Sequence, residues 1–134
     1  MAYTSKTRNA LEEALALARR SSPREAVVLL ARSLAYARRA EDSHSVAILA
    51  RNAAIISSNA GDLQQAIRYY SEAVENEPGD LYLRLGLADV HRQLGQEGSA
   101  RKVLAECHDL ALLEGDEDIL AILRDQGFEP GAGA

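Results

Sequence analysis

Residues 59–80 read NAGDLQQAIRYYSEAVENEPGD, and one helix can be followed through them from start to stop. Gly61-Asp62 punctuates a turn, and Pro78-Gly79-Asp80 ends the segment and opens the next. Between these marks, Ala66, Ile67, Tyr70, Ala73 and Val74 fall at i, i+1, i+4, i+7 and i+8. That is the apolar stripe of an amphipathic helix. Two of its members, Ala66 and Ala73, are small. Small residues inside an apolar stripe mark places where another helix comes close.

Working outward, the same pattern returns. GQEGSARKVLAECHDLALLEGD begins at Gly95, 34 residues after Gly61. Ala66 and Ala100 share that offset, as do Ala54 and Ala88; Tyr70 matches Leu104 and Ala73 matches Cys107. A more diverged copy lies upstream, since Ala14 and Ala26 are twelve apart, like Ala54 and Ala66, and Ala88 and Ala100. Units of helix–turn–helix are therefore expected at about 7–40, 47–80 and 81–114, with Glu41 to Val46 as a longer connector. Ser22-Pro23 opens the second helix of the first unit, and Asp42, Ser43 or Ser45 can cap the helix that follows. Asp116-Glu117-Asp118 places acids at a helix N-terminus, where the dipole favours them. Ile119, Leu120, Ile122 and Leu123 continue it as a seventh helix over about 116–126, placed to cover the third unit. Residues 127–134 are expected to form a flexible tail. No segment alternates as a strand would, so the chain is read as all-α.

Composition agrees. Apolar residues make up 47% of the 134 and charged residues 26%, while aromatics are only 4%. The core must then be built from Ala, Leu, Val and Ile, which suits close helix packing. The net charge of −5 argues against a general nucleic-acid binder, which needs a basic surface. No apolar run approaches the length of a membrane span, and MAYTSKTRNALEEALALARR has no stretch like a signal peptide. One cysteine, Cys107, allows no intrachain disulfide. A cytoplasmic protein is expected.

No set of residues in the sequence makes a case for catalysis, a metal or a cofactor. His44, His91 and His108 are the three histidines. Cys107 and His108 diverge by about 100° on a helix. His91 is read on the inward stripe of its helix and Cys107 as a small core residue. Asp42-Ser43-His44-Ser45 holds hydrolase residue types, but consecutive side chains diverge, so it reads as a helix cap. The acids at Glu12-Glu13 and 116–118 read as solvated surface, and no glycine-rich phosphate loop is present.

The 34-residue units resemble the tetratricopeptide repeat. Gly61, Ala66, Tyr70, Ala73 and Pro78 stand where that family's turn glycine, small residue, aromatic, small residue and closing proline stand. The third unit keeps Gly95, Ala100 and Cys107 but has Leu112 for the proline. The first keeps Ala14, Ala26 and Leu30 and has Ser21 for the turn glycine. The aromatic expected early in each first helix is missing, and the small residue after it is Ala rather than Gly. The resemblance implies a right-handed α-solenoid of about three hairpins with a capping helix, forming a single domain over 1–126.

It also implies a non-catalytic module that binds a protein or peptide in a concave groove, as an adaptor or scaffold; self-association is the alternative. Projected onto this sequence, the groove face takes Arg8, Leu11, Glu12, Leu15, Ala18 and Arg19 from the first unit. It takes Ile48, Arg51, Asn52, Ile55, Ser58 and Asn59 from the second, and Tyr82, Leu85, Gly86, Asp89, Arg92 and Gln93 from the third. Four arginines against Glu12 and Asp89 reverse the sign of a chain with net charge −5. An acidic partner segment with apolar anchors is the expected ligand. A subclass of the family clamps a terminal carboxylate with Lys, Asn and Arg. Only Asn52 stands at a matching place, so that function is not expected.

Overall fold

The computed structural model describes residues 4–20 and 22–131; Ser21 and the last residues of the tail, 132–134, lie outside it. Among the described residues there are seven helices and no strand. They are α1 (Ser5–Arg19), α2 (Pro23–Arg39), α3 (Ser43–Asn59), α4 (Leu63–Asn76), α5 (Leu81–Gln93), α6 (Glu97–Glu114) and α7 (Glu117–Asp125). They fall into two compact units, divided between Pro78 and Gly79. The first holds the hairpins α1–α2 and α3–α4, with α2 also packed on α3 and α1 on α3. The second holds the hairpin α5–α6 and α7, which packs on α6.

One turn device recurs, and it explains the short connections. At the end of α3, the Asp62 N–H donates to the Ser57 carbonyl (2.9 Å), across Gly61 at φ +87°. The Asp62 carboxylate then accepts from the Gln65 N–H (3.2 Å) and caps α4. This is a left-handed helix stop fused to an N-cap. It is repeated at Asp42, whose N–H bonds Ala37, and at Asp116, whose N–H bonds Ala111. Those carboxylates cap α3 and α7 through Ser45 and Ile119. Gln96 makes the same backbone stop but gives α6 no side-chain cap. At the first of these turns the left-handed position is held by Glu41, at φ +54°, rather than by glycine.

The small residues picked out by the 34- and 12-residue offsets are the buried ones. Ala14, Ala26, Ala54, Ala66, Ala73, Ala100 and Cys107 are fully buried, and Ala88 is 1% exposed. In the second unit, Leu81, Ala88, Ala100, Leu104, Cys107 and Ala111 share one core with Ile119 and Leu123. The last helix therefore covers the α5–α6 pair, as the sequence suggested. Phe128, assigned to the tail, packs half-buried against the same core. Its N–H donates to the Leu123 carbonyl (2.9 Å).

Of the connector expected over Glu41–Val46, only Glu41 and Asp42 connect; residues 43–46 are the first turn of α3. Relative to its alanine marker, α3 starts four residues earlier than α5, and α2 runs three residues further than α4. The extra residues between the first and second copies are thus about one added turn on each helix. A buried hydroxyl pair supports this: Thr7 Oγ1 donates to Ser45 Oγ at 3.1 Å. Val46 follows at 3% exposure, so the turn that looked polar in sequence faces the α1 helix.

Candidate functional site

In the first unit, α3 is the most enclosed helix. Nine of its residues are buried. Its positions left open are Ser43 and His44 at the start, then Ile48, Arg51, Asn52, Ile55, Ser58 and Asn59. Except for its first turn, the open stripe of α3 is thus the set projected to a binding face. The stripe exists because α1, α2 and α4 cover the other sides of α3. Arg51 and Asn59 are exposed; Ile48, Asn52 and Ile55 are half-buried.

On α1, which packs on α3, Thr7, Ala10 and Ala14 turn inward. Arg8, Glu12, Leu15 and Arg19 are exposed, and Leu11 and Ala18 are half-buried. Arg8 Nη2 donates only to Ser5 Oγ (3.3 Å), one turn back. Neither Arg19 nor Arg51 has a side-chain hydrogen bond or ion pair among the described residues. These positions of α1 and α3 thus present three cations and one acid beside half-exposed leucine and isoleucine. Asn52 Nδ2 donates to the Ile48 carbonyl of its own helix (2.8 Å), so it is not poised as a lone carboxylate clamp.

In the second unit, α5 turns Leu81, Leu83, Leu87, Ala88 and Val90 inward. Tyr82 and Asp89 are exposed, Tyr82 by 55%, and Arg92 is half-buried. Tyr82 sits in the first turn, where its N–H donates to Asp80 Oδ1 (3.1 Å). Asp89 accepts from Gln93 Nε2 (2.9 Å). Leu85 packs partly against the unit's own core, so it offers less surface than the projection gave it.

The remaining reactive groups have structural partners. His91 is half-buried rather than inward, because at the end of α5 its Nδ1 meets Gln96 Oε1 (2.7 Å) in the turn. Cys107 Sγ donates to the Leu81 carbonyl (3.7 Å), and burial pushes its thiol pKa up. Asp42 is held below the usual carboxylate range by its hydrogen bonds to the Ser45 side chain and backbone. Among the described residues, no three His, Cys, Asp or Glu side chains converge as a metal site would require. No helix among them is long and apolar enough to cross a membrane.

Three features of the surface were not legible in the sequence. Arg38 meets Glu72 in a two-pronged ion pair, Nε to Oε2 and Nη2 to Oε1, both 2.6 Å. These residues are 34 apart in sequence, and their pairing joins α2 to α4. His44 Nδ1 lies 2.9 Å from Glu77 Oε1 in a similar tie between α3 and the end of α4. A cleft of about 360 Å³ opens beside Pro23, Arg24, Val27, Val28, Ser57, Asp62 and Gln65. Its only sequence signal is Val28, an apolar residue left 48% exposed.

With this geometry in place, the comparison with known families is direct. Residues 59–107 match the tetratricopeptide repeat family, a span running from the last residue of α3 through α4 and α5 to Cys107 in α6. No curated protein matches the chain. The matched span holds the turn at Gly61-Asp62 and the buried small residues Ala66, Ala73, Ala88, Ala100 and Cys107, and over residues 59–107 the chain is similar to the tetratricopeptide repeat.

Proposed function

We propose that this protein acts as an adaptor, binding a partner segment that carries acids and apolar side chains at the open stripes of α1 and α3 in the first unit and of α5 in the second. Repeats of this family generally mediate protein–protein interaction, and the family is typically non-catalytic. The observation that carries the finer reading is α3. Buried on its other faces, it keeps open a stripe bearing Arg51 between Ile48 and Ile55. Arg8 and Arg19 on α1 add charge of the same sign, in a chain whose net charge is −5. Tyr82, Leu85, Asp89 and Arg92 of α5 belong to the same proposal. An acidic amphipathic segment would meet complementary charge, which guides encounter, and apolar contact, which slows release. The same reading sets this work in the cytoplasm and without catalysis.

The test is titration of labelled peptides containing Asp, Glu and Leu against the protein, with charge-reversed peptides as controls. Arg51→Glu should weaken binding more at low salt than at high salt. Tyr82→Ala should weaken it at both, by about 1–2 kcal/mol. Unchanged affinity for both variants would refute the reading.

A further inference from the structure

Helix α6 has an outer face that its own chain leaves bare. Ala100, Leu104, Cys107 and Ala111 point into the core. Around the helix from them, Gly98, Lys102, Ala105, Asp109, Leu112 and Leu113 are all exposed. Leu112 is 57% exposed and Leu113 83%. Bare leucines at this level in one place call for a cover.

Two further facts say what the cover is. The first is charge. Of the exposed outer-face residues, Lys102 lies in the N-terminal half of α6 and Asp109 in the C-terminal half. An antiparallel copy of the same helix would set Lys102 of each copy near Asp109 of the other. The second is Gly98. It is the second residue of α6 and has no positive φ, and a Cβ there would meet nothing within 4 Å. Among the described residues, neither backbone conformation nor a close neighbour requires a glycine there.

Gly98, Ala105 and Leu112 are seven residues apart, so they fall on one line along the helix. When a second α6 runs antiparallel with Ala105 on the axis, Leu112 falls over the second copy's Gly98. Lys102 then lies beside the second copy's Asp109. Large meets small and opposite charges meet, twice each by symmetry. We propose that the protein forms a two-fold dimer by antiparallel pairing of the outer faces of α6. This face is on a different helix from the stripes proposed to bind a partner, so the two proposals stand or fall separately. An 18-residue helix is about 27 Å long. One such pair is small beside a standard interface of roughly 1,600 Å², so the dimer is weak and concentration-dependent.

Sedimentation equilibrium of the whole chain, over a dilution series reaching the millimolar range, tests this. The parent should show a reversible monomer–dimer equilibrium. Lys102→Asp and Asp109→Lys should each weaken it by about tenfold, because each change breaks two symmetric contacts. The double swap should restore it. Gly98→Leu, a better helix former that blocks the seat of Leu112, should abolish the dimer while circular dichroism shows an intact helical fold. Three results would overturn the proposal: a monomer at every concentration, a dimer indifferent to Gly98→Leu, or a double swap weaker than either single one.

Discussion

Glu41→Gly should make this protein more stable, although it removes a side chain and adds flexibility. Glu41 holds φ +54° at the stop of α2, where the same device elsewhere uses Gly61, Gly95 and Gly115. The left-handed conformation costs an L-residue about 1–2 kcal/mol. Glycine avoids that cost, but its freer unfolded chain takes back about 0.4–1 kcal/mol. Glu41 is exposed, and its side chain makes no hydrogen bond or ion pair among the described residues, so no contact offsets the gain. The net expectation is a stabilisation of about 0.5–1 kcal/mol.

The reciprocal change, Gly61→Ala, should cost about 1 kcal/mol. A Cβ at Gly61 meets nothing within 4 Å and φ is +87°, so that cost is purely conformational. Urea unfolding followed by circular dichroism reads both as midpoint shifts, upward by about 0.5 M for Glu41→Gly at unchanged slope. Glu41→Ala is the essential control. It removes a negative charge from the C-terminal end of α2, where the dipole disfavours it, but keeps the Cβ. If Glu41→Ala stabilises as much as Glu41→Gly, charge rather than backbone is the cause. If Glu41→Gly is no more stable than the parent, the reasoning fails.

Other substitutions test other links. Ala66 is fully buried where α4 meets its neighbours; Ala66→Leu should cost about 1–3 kcal/mol and Gln64→Leu, on the exposed side, under about 0.5 kcal/mol, and equal melting would refute the packing assignment. Ile119 is fully buried in the core that α7 completes; Ile119→Ala should cost about 2–5 kcal/mol, and a change within 0.5 kcal/mol, as is usual at the surface, would remove the covering role of α7. Asp42→Ala removes the cap of α3 and should cost about 1 kcal/mol. The carboxylate of Asp42 is depressed in the folded chain, so its contribution is full above the ordinary aspartate pKa of about 3.9. It is lost as pH falls through the lower folded value. The stability gap between parent and Asp42→Ala should hold at neutral pH and close in acid; a gap independent of pH would mean the hydrogen bonds are not the source.

The repeats were legible because helix crossings restrict side-chain size at fixed intervals. Ala14, Ala26, Ala54, Ala66, Ala88 and Ala100 could be found by counting, since any larger residue there would force the helices apart. Turns were legible where Gly61-Asp62 and Pro78-Gly79-Asp80 spell out their backbone requirement. The stop at Glu41 hid behind an ordinary residue doing a glycine's task. Ser43-His44-Ser45 looked like a connector because polar residues are weak helix signals.

What the sequence by itself determined is the helical class, the 34-residue offset of the second and third copies and the small residues at the helix crossings, all set by local periodicity and side-chain size. Tertiary structure alone decided which polar groups meet. Thr7 with Ser45, Arg38 with Glu72 and His44 with Glu77 lie 38, 34 and 33 residues apart. Hydroxyls, guanidinium groups and carboxylates carry no local signal of a distant partner; only the stacking of one hairpin on the next brings them together. The same holds for what stays uncovered. Leu112 and Leu113 are apolar in any reading, but their exposure follows from which faces of α6 its own unit covers, and no spacing along one helix can state that.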